Sequence, residues 1–114
     1  MIAPDLPLSP VREAGGLAFV TGMTGSGRGG MPEGAEAQVH AALDKIEAAL
    51  ATVGLGLADV VDATTFHAGL DAFDPVERAW RGRFAPPYPA WTAVGVAALR
   101  RPGALVEIKV IAAR

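Results

Sequence analysis

The stretch from Pro89 to Arg114, PAWTAVGVAALRRPGALVEIKVIAAR, constrains the fold most. Two runs rich in Val, Ile and Thr, Trp91–Leu99 and Ala104–Ile111, flank Arg100, Arg101, Pro102 and Gly103. Residues of this kind favour strands and Pro-Gly favours a turn, so the local pattern predicts a β-hairpin with a loop of about four residues. Alternation places Trp91, Ala93, Gly95 and Ala97 on one face of the first strand. In the second strand Val106, Ile108, Val110 and Ala112 form a uniformly apolar row, which reads as core. Leu105, Glu107, Lys109 and Ile111 take the other face. Glu107 is the lone carboxylate there, so it belongs either to an exposed edge or to a site.

A chain of 114 residues builds one domain, 1–114, around one core. The absence of cysteine excludes disulfides and thiolate chemistry. Net charge is −2, which speaks against general nucleic-acid binding, since that needs clustered Lys and Arg. No apolar run reaches membrane-spanning length, and no basic region followed by an apolar run opens the chain. The expectation is a cytoplasmic protein without a membrane partner.

Met1–Pro10 carries three prolines and reads as an irregular lead into a short strand near Val11–Glu13. Ala14, Gly15 and Gly16 make a turn, and Leu17–Gly22 a second strand that closes a first hairpin. Gly25, Gly27 and Gly30 fit G-x-G-x-x-G, but Met31-Pro32 separates them from the next helix and no strand end with an acid follows. A glycine-rich surface loop is the reading. Pro32–Val53 is an amphipathic helix with Ala35, Val39, Ala42, Leu43, Ile46, Ala49, Leu50 and Val53 inward and His40 on its wet face. Val60–His67 is a strand, with His67 at its end, a better place for function than His40. No second histidine or cysteine lies at ligand spacing from His67, so no metal is expected. Asp71–Phe84 is a second helix, with Asp74 and Glu77 in the pattern of a capping box. Val76, Trp80 and Phe84 form its buried stripe, and Arg78, Arg81 and Arg83 a solvated face.

The order is therefore β-β-α-β-α-β-β, an α+β domain with two helices on one face of a mixed sheet. The other face would show Leu17, Phe19, Trp91, Ala93, Leu105 and Ile111. A patch of that size on a soluble chain calls for a covering partner, and a closed homo-oligomer is the simplest one.

Two stretches resemble signatures of the RidA (YjgF) family, the reactive-intermediate deaminases, also called L-PSP endoribonucleases. AGGLAFVTG at Ala14–Gly22 is similar to A-G-G-L-x-F-V-S-G, and PA at Pro89–Ala90 with ALVEIKVIA at Ala104–Ala112 is similar to the family's C-terminal pattern. The resemblance implies a chorismate-mutase-like fold, a homotrimer, and small-molecule clefts between subunits that need no cofactor. In deaminating members these clefts hydrolyse imines or enamines. Carried over residue by residue, the resemblance makes Glu107 the acid that positions water, with the Ala93 carbonyl, and Gly22 the backbone amide. Thr21 stands for a serine, Leu8 for a tyrosine, Met23 for a glutamine and Glu77 for an asparagine. The family's carboxylate-binding arginine is Trp91 in this chain. An indole makes no bidentate pair with a carboxylate. Two charge-assisted hydrogen bonds of roughly 1.5–3 kcal/mol each are forgone, on the order of 100-fold in affinity or more. The expectation is a hydrolase of imines or enamines without a recognised α-carboxylate; the alternative is a non-catalytic trimer that binds a small molecule.

Overall fold

The computed structural model describes residues 6–114; Met1–Asp5, the first half of the expected irregular lead, lie outside the described residues. Strands β1 (Val11–Ala14) and β2 (Leu17–Met23) form the first hairpin. Gly15 and Gly16 both have positive φ, 59° and 79°, which suits a two-residue turn between right-twisted strands. Helix α1 (Ala35–Ala51), strand β3 (Val60–Ala68), helix α2 (Phe73–Arg83), and strands β4 (Ala90–Val96) and β5 (Val106–Ala113) follow. The five strands make one sheet in the order β1-β2-β5-β3-β4. Only β3 and β4 run parallel, joined through α2. The element order and the two-helix, mixed-sheet class are those read from the sequence.

The C-terminal hairpin is a correction. β5 lies between β2 and β3, and β4 pairs with β3 at the sheet's edge, so β4 and β5 never touch as partners. The uniformly apolar row of β5 explains its central place, because Val106, Ile108, Val110 and Ala112 are all fully buried there. β4 is composed of smaller residues and tolerates an edge, where most of it is exposed. The Pro-Gly signal turns the chain, but over β3 rather than back along β4.

Both helices cover one face of the sheet. Val39, Ala42, Leu43, Ile46 and Leu50 of α1 pack with Val76, Ala79 and Trp80 of α2 over β2, β3 and β5. α1 starts three residues later than expected, after Gly34 at φ 90°. α2 starts after Ala72, so Asp74 lies within the first turn and makes no side-chain cap. Arg83 is not part of a solvated face. Its side chain is only 17% exposed, pairs with Asp44 at 2.9 Å and Glu47 at 3.5 Å, and donates to the His40 carbonyl oxygen at 3.1 Å. It clasps α2 to α1.

One polar residue sits in the inward stripe of α1. Gln38 is 2% exposed, donates through Nε2 to the carbonyl oxygens of Pro32 (2.9 Å) and Gly103 (3.1 Å), and accepts from the Leu105 amide at 2.8 Å. It ties the glycine-rich loop and the β4–β5 connection to one helix. Gln38→Leu keeps the volume and strands three backbone groups. Chemical denaturation is expected to show about 2 kcal/mol less stability, as a lower midpoint with an unchanged slope.

Candidate functional site

β2 and β5 pair as Val20↔Val110 and Met23↔Ile108, so Thr21 and Gly22 together face Lys109 alone. This is a β-bulge, which bends its strand and re-aims the residues beside it. It brings the Gly22 backbone against the Glu107 carboxylate. A Cβ on Gly22 would overlap Oε2 of Glu107 and stand 3.2 Å from its Cδ, so the close approach depends on glycine. The Thr21 hydroxyl donates to the Ser9 carbonyl oxygen at 2.6 Å, and its amide to that of Pro10 at 2.9 Å. These bonds strap the N-terminal segment beside β2 and set Leu8 at the mouth of a cavity. That cavity, about 270 Å³, is lined by Leu8, Thr21, Gly22, Met23 and Glu107, all anticipated from the sequence. Met23 is 5% exposed and belongs mainly to the core. Lys45, Arg100 and Arg101 also line it and were not anticipated. Lys45 lies on the flank of α1, where helical periodicity reads as plain solvent, but its Nζ donates to the Ser26 carbonyl oxygen at 2.7 Å and folds the side chain over the loop.

Trp91 lies elsewhere. The register through β3 aligns Trp91 with Ala63 and Ala63 with Val110, which puts Trp91 on the helix-covered face. Glu107 aligns with Phe66 and Val94 on the open face. The shared face expected for Trp91, Ala93 and Glu107 is therefore corrected, because it presumed that β4 and β5 were neighbours. The open face keeps Phe19, Leu105 and Ile111 and gains Phe66 and Val94.

The Trp91 ring stacks on Trp80 at a centroid distance of 4.5 Å and an interplanar angle of 12°, and on Phe73 at 5.5 Å and 21°. Phe73 and Trp80 are seven residues apart on α2, roughly 10.5 Å along a helix, which leaves room for one aromatic plane. The indole N–H of Trp91 donates to Thr65 Oγ1 at 2.8 Å. A second cavity, about 200 Å³, is lined by Glu77, Trp80, Arg81, Tyr88, Pro89 and Trp91. Arg81 donates to Glu77 Oε2 from Nε (3.1 Å) and Nη2 (2.7 Å), so the charge of Glu77 is paired within its own helix. Ala93 is exposed on the edge strand and lines neither cavity. Among the described residues, one chain thus gathers Glu107, Gly22, Thr21, Met23 and Leu8 in one place, Trp91 and Glu77 in another, and joins neither to Ala93.

His67 is 1% exposed, with Nε2 at 2.7 Å from Thr65 Oγ1 and its ring tilted against Phe73 at 5.8 Å. Thr65 accepts from Trp91, so its own hydroxyl is available to donate to a neutral His67 Nε2. Burial away from water lowers the His67 pKa below its ordinary 6.5. In the unfolded chain the imidazole binds its proton more readily. Stability is therefore full above pH 6.5 and falls as pH drops from there toward the folded pKa. Thermal unfolding between pH 8 and 5 is expected to show this loss, and His67→Gln is expected to flatten it above the range where carboxylates titrate.

No helix among the described residues is long and apolar enough to cross a membrane, and no three His, Asp or Glu side chains among them converge as a metal site. The chain matches the family profile described as Endoribonuclease L-PSP over residues 1–114. It is 43% identical over 102 residues to RutC family protein YjgH of Escherichia coli strain K12, covering 87% of this chain and 76% of that protein. The crystal structure of RidA from an Antarctic Psychrobacter superposes with a TM-score of 0.90 at 29% identity, over 98% of this chain and 92% of the other. A solved structure of protein YJGH gives 0.81 at 42% identity, over 92% and 82%. The two helices on a five-stranded mixed sheet are thus a fold shared with these proteins, and the chain belongs to the endoribonuclease L-PSP family, that of RidA and YjgF.

Proposed function

We propose that this chain forms a homotrimer with small-molecule clefts between subunits, where Glu107 hydrolyses an imine or enamine whose reacting carbon bears no recognised carboxylate. The observation that carries this reading is the Glu107 carboxylate held over Gly22 at the bulge, facing a cavity with the apolar Leu8 at its mouth. A carboxylate placed in this way, with its oxygens not taken up by other side chains among the described residues, is suited to orient one water against an electrophilic C=N carbon. The water oxygen bonds to that carbon and its proton passes to Glu107. The carboxylic acid passes that proton to nitrogen to give a carbinolamine. The carboxylate then relays the hydroxyl proton to nitrogen as the C–N bond breaks and C=O forms, and a carbonyl compound and ammonia leave. An enamine enters as its imine tautomer.

The Trp91 wall and the Glu107 wall lie on opposite faces of one sheet, so within one chain no ligand meets both. The long, uncharged edge strand β4 and the exposed Phe19, Val94 and Leu105 offer surface for contact between copies, which supports assembly. The lone N–H of Trp91 already serves Thr65, so the indole has no donor for a substrate carboxylate.

A second reading, a trimer that binds without catalysis, is favoured by one observation. The indole N–H of Trp80 is buried, has no hydrogen-bond partner, and belongs to a residue lining the Trp91 cavity. A planar ligand with an acceptor atom would suit that place.

Ammonia release separates the two readings. The wild type is expected to accelerate hydrolysis of acetophenone imine, and Glu107→Gln to lower that rate by about 100-fold or more. With 2-iminopropionate the wild type is expected to match buffer alone. Acceleration of 2-iminopropionate would contradict the argument from Trp91, and inactivity on both imines would favour the non-catalytic reading.

A further inference from the structure

The chain as a whole carries −2, yet among the described residues that line the Glu107 cavity, Glu107 is the one carboxylate beside Lys45, Arg100 and Arg101, and Arg101 has a partner of its own. The cations are not there to neutralise Glu107, which makes no ion pair within 4.0 Å with any of them. They come from two unconnected parts of the fold, the flank of α1 and the corner between β4 and β5. The Lys45 ammonium has three N–H bonds, and the Ser26 carbonyl oxygen takes one of them, which fixes the head group at the cavity wall. Arg100 is an exposed corner residue.

We infer that Lys45 and Arg100 make this cavity a subsite for an oxyanion, and that the ligand bears a carboxylate or phosphate remote from the carbon presented to Glu107. The inference rests on the reading of Glu107 given above and names its substrate class. Lys45 and Arg100 do not pair with the Glu107 carboxylate, so a ligand anion can meet them while another part of the same molecule faces Glu107. The volume of about 270 Å³ lies just under the range of roughly 300–1,000 Å³ for drug-sized ligands, which fits a small metabolite. The anion anchor thus stands on the same wall as the catalytic acid, whereas residue 91 serves the fold.

The test is binding, read by two-dimensional ¹H–¹⁵N NMR on the full chain. The probes are 4-oxopentanoate, its neutral counterpart 2-pentanone, and inorganic phosphate. 4-Oxopentanoate is expected to shift the amides of Gly22, Lys45 and Glu107, and 2-pentanone to bind at least about tenfold more weakly. Arg100→Gln and Lys45→Gln are each expected to weaken 4-oxopentanoate severalfold, and together by about tenfold or more. Arg100→Gln leaves the Lys45–Ser26 bond in place, so a loosened loop does not account for its effect. Phosphate binding alone, weakened in the same variants, keeps the subsite and assigns its anion to a phosphate ester. Equal binding of 2-pentanone and 4-oxopentanoate, binding of neither anion, or affinities unchanged in both variants would overturn the inference. Ammonia release is read separately. Anion binding without hydrolysis defeats only the catalytic reading, and hydrolysis of neutral imines without anion binding defeats only this one.

Discussion

The Trp91 indole, stacked between Phe73 and Trp80 and hydrogen-bonded to Thr65, is the contact on which the rest of the structure depends. β4 lies at the sheet's edge with one strand partner, so its hold on the core comes from β3 and from this ring. Burying large aromatic surfaces against one another is among the stronger single contributions available to a small domain. Thr65 passes the hydrogen bond on to His67, and Phe73 touches both His67 and Trp91. Strand β3, helix α2 and strand β4 are thereby locked as one unit, and Arg83 fastens that unit to α1.

This use of residue 91 has a chemical consequence. A side chain held on both faces and through its polar atom is not available to grip a charged ligand. Recognition moves to the wall around Glu107, whose geometry has a different origin, the extra residue in β2. The bulge draws Gly22 under the carboxylate, and the missing Cβ lets it stay there. One sheet therefore carries a rigid aromatic anchor on one face and a charged cavity on the other, each set by its own local device.

The parts of the fold that were legible in the sequence are those written in short-range periodicity. The alternating Val106, Ile108, Val110 and Ala112, the inward stripe of α1 and the Gly15-Gly16 turn each follow from spacing alone. Partner choice between strands is not local. Nothing in β4 or β5 tells that β3 comes between them, and the face of Trp91 was misassigned because face follows from register. Gln38 escaped notice because a polar residue in an apolar stripe reads as noise until its three backbone partners, distant in sequence, are seen. Arg83 looked solvated for the same reason: Asp44 and Glu47 lie on another helix. Of the candidate site, Glu107 and the residues of β2 were readable from motif. Lys45 was not, since its contact is made by a loop that periodicity does not describe.

The most direct measurement is hydrogen exchange at the Trp91 indole N–H, followed by NMR with the resonance assigned by substitution. The account predicts exchange slowed to near the rate of global unfolding, because the proton lies between stacked rings on a buried threonine. It also predicts that small anions leave this resonance unmoved while they shift Gly22. Exchange at the rate of an exposed indole, or a direct response of the Trp91 proton to such a ligand, would contradict the claim that residue 91 serves the fold and the Glu107 wall serves the ligand.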